Sequence, residues 1–299
     1  MKTWHYALIV FLGGCCYGLL STFVKLAYAT GYSVTEVTGS QYILGALLIW
    51  LLFLFTKKQK LRFNKAWKLM LFGIPFGMTG IFYYQALQTL DASLAIIFLF
   101  QFVWIGTLIE WLFYKKKPTA TKLLAIGVLI IGSILAAGLL STGDTTLTME
   151  GTIWGILSAI TFTSSIFISG AVGKDIQPIL KSALLSTGAL IVVLIVYPPI
   201  FLFDIHVLMG VAPYGFLLGL LGVALPPLLF SIGMPKIGPG LGTILSASEL
   251  PVAVIMSALI LNEFVSYSQW FGVVIILCGI MIGNVKLKRK TNTIPMQYN

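Results

Sequence analysis

Gly238-Pro-Gly-Leu-Gly-Thr-Ile-Leu-Ser-Ala-Ser-Glu-Leu-Pro-Val-Ala-Val-Ile-Met-Ser-Ala-Leu-Ile-Leu261 is an apolar run with one charge, Glu249, near its middle. A helix that spans a bilayer needs about 20 apolar residues, and this run supplies them. At roughly 1.5 Å per residue, the carboxylate lies about a dozen residues from either end. That is too deep for its side chain to snorkel to a surface, so it must face protein or water. Gly242, Ser246, Glu249, Ala253 and Ser257 recur at three- and four-residue spacing and give the run one small or polar face, which lines a cavity or a close helix contact.

Runs of the same kind recur along all 299 residues, separated by short polar breaks that leave no room for an extramembrane domain. The composition, 58% hydrophobic and 9% charged, is more apolar than a water-soluble domain can bury. The expected fold class is therefore an all-α integral membrane protein. Turn residues and charges place ten transmembrane helices at 5–29, 34–55, 66–90, 92–114, 118–140, 151–172, 178–203, 208–233, 238–261 and 267–285.

The net charge of +10 does not mark a nucleic-acid-binding face, because the basic residues sit in short clusters between apolar runs. With the N-terminus inside, one side collects Lys2, Lys57, Lys58, Lys60, Arg62, Lys65, Lys68, Lys115 to Lys117, Lys122, Lys174, Lys181, Lys236 and the tail Lys286 to Lys290. The opposite side carries Glu36, Asp91, Asp144, Glu150, Asp204 and Glu263, with no lysine or arginine in its loops. This is the positive-inside bias, and it predicts a multi-pass protein of the plasma membrane with both termini cytoplasmic. Cys15, Cys16 and Cys278 have neither CxxC spacing nor interleaved histidines, so no metal, cofactor or disulfide framework is expected. Leu12-Gly13-Gly14-Cys15 resembles a lipoprotein cleavage box, but the apolar run continues to about Ala29 and reads as an uncleaved first helix.

The chain divides at the loop Ser141 to Glu150. Sliding the second half back by about 147 residues aligns Leu94 with Leu241, Ile97 with Ile244, Leu112 with Leu259 and Gly132 with Gly279. Five helices per half force the halves into opposite orientations, an arrangement that places a site near the midplane between inverted repeats. The expected organisation is a first repeat over 1–140, a second over 151–285, and a basic cytoplasmic tail over 286–299.

Two segments carry a resemblance. One is Ala86-Leu-Gln-Thr-Leu-Asp-Ala-Ser-Leu-Ala continued through Trp111-Leu-Phe; the other is Ile237-Gly-Pro-Gly-Leu-Gly-Thr, with Glu249-Leu-Pro-Val and Leu261-Asn-Glu. Together with Tyr17-Gly18, Gly132 and Gly279, they resemble the EamA type of the drug/metabolite transporter superfamily, as two tandem modules over nearly the whole chain. The family often has Glu-Pro-Val where Leu250 intervenes here. The resemblance implies a ten-helix carrier with a central cavity, in a family that includes exporters of amino acids and other metabolites.

Intramembrane ionisable groups are costly, at roughly 2.5 to 3.5 kcal/mol on insertion scales, so they are the first candidates for function. They are Lys25, Glu110 and Glu249. Glu249 is a candidate for binding a substrate amine or a proton, or for a hydrogen-bonded packing role. Lys25, near the outer end of the first helix, either contributes to a site or snorkels outward. Glu110 reads as an ion pair with Lys115 to Lys117.

Gln101 lies near the middle of the fourth helix, with Trp104 one turn away; Ser246 lies beside Glu249, and Thr161 and Ser165 belong to a polar stripe on the sixth helix. Tyr83 and Tyr84 could cage a cationic or aromatic substrate or join an interfacial belt. Gly73, Pro75, Gly77 and Gly80 align with Gly219, Gly222, Pro226 and Pro227 in the other half, as candidates for gating hinges or close packing.

The function expected is secondary-active transport of a small metabolite by alternating access, most simply export of an amino acid or related polar compound, with proton coupling possible through Glu249. No Walker-type motif supports ATP coupling. The alternatives are a flippase of a lipid-linked intermediate and an intramembrane enzyme. For the latter, His5 and His206, placed at opposite faces, assemble no catalytic group.

Overall fold

The computed structural model describes residues 3–56, 59–90, 92–136, 148–261 and 265–284. Among these residues the chain is helical, without strands. In order the helices are α1 (Thr3–Ala29), α2 (Val34–Leu54), α3 (Phe63–Leu71), α4 (Ile74–Thr89), α5 (Ala92–Phe100), α6 (Phe102–Tyr114), α7 (Ala120–Ala136), α8 (Met149–Ala171) and α9 (Pro178–Val196). There follow a 3₁₀ turn (Ile200–Phe203), α10 (Ile205–Leu218), a π-turn (Gly219–Ala224), α11 (Leu225–Ile237), α12 (Pro239–Ser246), α13 (Glu249–Ile260) and α14 (Tyr267–Asn284). Lys2, Lys57, Lys58, Asp91, Asp144, Glu263 and the tail over 286–299 lie outside the described residues.

Seven described stretches are long and apolar enough to cross a membrane: Thr3–Ala29, Val34–Leu54, Ala95–Tyr114, Met149–Ala171, Pro178–Val196, Ile205–Ile237 and Pro239–Ile260. Ala120–Ala136 and Tyr267–Gly283 are shorter apolar helices. Leu47, Leu51, Ile131, Ile195 and Val274 are among many large apolar side chains exposed on the outside of the bundle, where water would be a poor solvent for them.

Several spans expected as single helices are broken. The span read over 66–90 bends at Phe72–Gly73 between α3 and α4, with Pro75 in the first turn of the new helix, where its missing N–H is not needed. The span read over 178–203 ends at Val196, because Pro198 and Pro199 cannot extend it, and the 3₁₀ turn follows. Its neighbour, read over 208–233, runs from Ile205 to Ile237, interrupted by the π-turn. Pro227 has no N–H for the carbonyl of Val223, four residues earlier, and Ser186 Oγ of α9 donates to that oxygen instead, at 2.8 Å.

The helices pair in a way that survives exchange of the two halves. α1 packs on α11 as α8 packs on α4, while α2 packs on α9 and α7 on α14. This self-mapping is what two repeats joined about a pseudo-twofold axis require. At the α7–α14 seam the aligned glycines both serve close approach: a Cβ at Gly132 would press on Ile276 at 2.8 Å, and one at Gly279 on Leu129 at 2.9 Å.

The contact of α9 with α3 and the bend that follows it is tighter still, since a Cβ at Gly188 would overlap the Met70 carbonyl and one at Gly73 the Leu185 carbonyl. Backbone cannot yield as a side-chain tip can. Gly188→Val is therefore expected to destabilise the protein by at least about 1–3 kcal/mol, the usual range for overpacking. Gly127→Ala, with nothing within 4 Å of the added carbon, is expected to stay within about 0.5 kcal/mol. Thermal unfolding in detergent compares them.

Charges near the helix ends have local roles. Glu36 Oε2 accepts from Ser33 N–H at 2.7 Å while Ser33 Oγ accepts from Glu36 N–H at 3.3 Å, a reciprocal cap for α2. Asp204 caps α10 through the N–H groups of His206 and Val207. Lys181 is only 1% exposed, and its Nζ donates to the Ser169 carbonyl at 2.7 Å, in the last turn of α8, where a cation suits the helix dipole. In the loop before α9, the Lys65 ammonium lies 2.7 Å from Asp175 and holds that exposed carboxyl below its usual range.

Glu110 pairs with Lys122 of α7, not with Lys115 to Lys117. Lys115 turns the chain into the left-handed region at the end of α6, and the three lysines stay exposed.

Candidate functional site

Two discontinuities at mid-span organise the centre. Between α12 and α13, Ala247 and Ser248 form a turn, and Glu249 opens the second half-helix. Pro251 has no N–H to offer the Ala247 carbonyl, and the Ala247 and Ser248 N–H groups bond three residues back, to Ile244 and Leu245. In the other half, Gln101 separates α5 from α6. Its N–H bonds to the Phe98 carbonyl at 3.2 Å, while its side-chain Nε2 takes the Ile97 carbonyl at 3.0 Å. A side chain thus replaces a rung of the helix ladder, a recognised cause of a helix break. An offset of about 147 residues carries Gln101 onto Ser248, and Phe102, 1% exposed, onto Glu249.

Helix α1 holds the second break in place. Ser248 Oγ donates to the Phe11 carbonyl at 2.8 Å. A Cβ at Gly18 would overlap the Glu249 carbonyl oxygen, and one at Gly14 would overlap Ser248 Oγ. The Gly14/Gly18 pair is therefore the surface on which the break rests.

A cavity lies against this point, with about 640 Å³ of space between the atoms when its open mouth is counted. Its wall draws Tyr17 and Leu20 from α1, Gln41 and Tyr42 from α2, Phe76, Thr79, Tyr83 and Tyr84 from α4, and Glu249 from α13. Phe162 and Ser165 of α8, Ser186 of α9, Gly222 of the π-turn and Pro227 of α11 also face it. Both halves contribute. Glu249 Oε2 is buried without a hydrogen-bond partner. No basic side chain lines the wall among the described residues.

The aromatic side is ordered by edge contacts: Tyr17 meets Phe162 at 5.3 Å and 84°, and Phe162 meets Phe102 at 4.9 Å and 87°. The polar groups hold one another. Tyr84 Oη donates to Gln41 Oε1 at 2.7 Å, Tyr42 Oη to the Phe76 carbonyl at 2.9 Å, and Ser165 Oγ to the Thr161 carbonyl at 3.0 Å. Tyr84→Phe would leave the Gln41 carbonyl buried without its donor. It is expected to destabilise the protein by about 1–3 kcal/mol, read as a lowered melting temperature, and Tyr83→Phe serves as the neighbouring control.

Of the residues singled out in the sequence, the cavity brings together Glu249, Tyr83, Tyr84, Ser165, Gly80, Gly222 and Pro227. Ser246 is fully buried and donates to the Gly242 carbonyl at 2.9 Å, within its own helix. Thr161 donates to the backbone of α8 and its hydroxyl oxygen lies 3.1 Å from Thr79 Oγ1, one step behind the wall. Gln101 serves the break. Trp104 is 41% exposed on the outside of the bundle and donates to Gln101 Oε1 at 2.6 Å, so it forms no cage with the tyrosines.

Lys25 is half-buried on α1, outside the wall. Gly73 and Gly77 press on the backbone of α9, and Pro75 and Pro226 sit in the first turns of α4 and α11. Tyr17, Gln41, Tyr42, Thr79 and Ser186 were not singled out as site residues. The available signal was weak: one polar group in the middle of an otherwise apolar span.

Comparison with known proteins gives a consistent placement. The profile of the EamA-like transporter family matches twice, over residues 4–138 and 149–285. A solved crystal structure superposes with a TM-score of 0.68 at 16% identity, over 92% of this chain and 98% of the other, a likeness of fold alone. No curated protein sequence matches. With two family matches spanning both halves and a repeat-exchanging helix pairing, the chain belongs to the EamA-like transporter family of the drug/metabolite transporter superfamily and is a multi-pass membrane transporter of small molecules.

Proposed function

We propose that the protein is a secondary-active carrier that exports a small amino compound across the plasma membrane by alternating access. Ten spans form two inverted repeats over 1–140 and 151–285, and both termini, with the basic tail over 286–299, lie in the cytoplasm. The observation that carries this reading is Glu249: a carboxylate at a mid-span helix break, with Oε2 unpartnered, on the wall of a cavity built by both halves.

A lone carboxylate holds a proton or an ammonium group, not both. Occupancy by one excludes the other, so a proton gradient drives the amine the opposite way. Discontinuous helices at matched positions supply the structural condition for such a site in repeat-built transporters. The cavity binds the cargo, and the hinge candidates Gly222 and Pro227 lie on its wall.

The test is uptake of labelled amino acids and small amines into proteoliposomes, with and without an imposed pH gradient. Gradient-dependent flux of a water-soluble compound is expected. A strict requirement for a lipid-linked substrate would replace the carrier by a flippase, and absence of any flux would overturn the carrier.

A further inference from the structure

We propose that the cavity selects an organic monocation, an amine with an apolar body and no carboxylate, over a zwitterionic amino acid. The inference rests on the carrier reading and narrows its cargo.

An ammonium group needs acceptors, whereas a carboxylate needs donors or a cation. The wall offers the first; for the second it has no cation among the described residues and few uncommitted donors. Among the described residues its only carboxyl group is that of Glu249, and no lysine, arginine or histidine belongs to it. Lys25, the nearest candidate on α1, lies five residues beyond Leu20 and outside the wall.

Five of the hydroxyl hydrogens along the wall are already engaged. Tyr42 donates to the Phe76 carbonyl, Tyr84 to Gln41, Ser165 to the Thr161 carbonyl, Ser186 to the Val223 carbonyl and Thr79 to the Pro75 carbonyl at 2.7 Å. What remains to donate is the Gln41 amide and the Tyr17 and Tyr83 phenols, and both phenols lie within electrostatic reach of Glu249. With an ammonium group bound and Glu249 ionised, a substrate carboxylate at those phenols would meet like charge.

Acceptors are better supplied. Besides Glu249, Pro226 withdraws the usual helix donor from the Gly222 carbonyl, on a residue that faces the cavity. A half-helix N-terminus often answers a substrate carboxylate, but here the first turn of α13 already carries Glu249, its own acid. The rest of the wall, Phe76, Tyr83, Leu99, Phe162 and Ala189, is apolar or aromatic and suits the body of such an amine, with ring faces that favour a cation.

The test is equilibrium binding to the purified full-length protein in lipid nanodiscs by isothermal titration calorimetry, with no gradient imposed. The probes are 2-phenylethylamine, phenylalanine and 3-phenylpropanoate, which share the ring and differ in charged groups. The expected result is that the amine binds at least about tenfold more tightly than phenylalanine, that the carboxylate does not bind, and that Glu249→Gln loses the amine.

Equal or tighter binding of phenylalanine would overturn the proposal, as would binding of none of the three. The wild-type ranking decides even where the variant fails to fold. Selective amine binding without flux of any compound would leave this assignment standing and remove the carrier reading. Gradient-driven flux restricted to zwitterions would do the reverse.

Discussion

Glu249→Gln is expected to reduce pH-gradient-driven uptake to the background of empty liposomes while the protein remains folded and monodisperse. Glutamine keeps the size and the acceptor oxygen but can neither take up a proton nor neutralise an ammonium group. Removing one partner of a buried ion pair costs about 3–5 kcal/mol, which corresponds to a loss of affinity of roughly 10²- to 4 × 10³-fold. Because Oε2 has no protein partner to lose, the fold should tolerate the change. Normal coupled flux in this variant would return Glu249 to a packing role and remove the proton-exchange mechanism.

The second large effect is expected at Gly18. A single methyl added there overlaps the backbone carbonyl of Glu249, and Val252 stands 2.8 Å away on the same side. Gly18→Ala must therefore push α13 away from α1 and carry the carboxylate with it. Overpacking of this kind costs about 1–3 kcal/mol in stability, yet the effect on transport should be larger, because the displaced residue carries the carboxylate proposed to bind the cargo. Flux is expected to fall about tenfold or more at temperatures where the variant is still folded. If flux instead falls only in proportion to the folded fraction, the α1 contact is mere packing and Gly18 has no part in placing the site.

Much of this architecture is written in local sequence. Apolar runs announce membrane segments, and an acid in the middle of one, Glu249, is conspicuous because nothing else of its kind is near. The helix breaks are a different matter. At Gln101 the helix is interrupted because a side-chain amide folds back onto the Ile97 carbonyl, a choice of rotamer that no periodicity reveals. At Ser248 the interruption is fixed by the Phe11 carbonyl, 237 residues away in sequence.

Pro251 and the Pro226-Pro227 pair did mark places where the ladder fails, but not which neighbour would make good the loss. Trp104 illustrates the converse error. One turn of separation from Gln101 brings the two side chains together on a helix, and they meet on the face turned away from the cavity. Gln41 and Tyr42 went unnoticed because a single amide and phenol in an apolar span look the same whether they glue helices or line a chamber.

The matched interruptions carry one more implication. The bend before α4, the break at Gln101, the π-turn before α11 and the break at Ser248 all fall part-way along their spans, and the offset that relates the halves carries the first pair onto the second. In mechanical terms the proposed carrier would use them as pivots, with the cavity among them. If the carrier rocks, the outer and inner ends of the helices are the long arms and the cargo rests at the fulcrum. The bound molecule would then cross the barrier almost without travelling, because the water-filled vestibule would move from one side of it to the other.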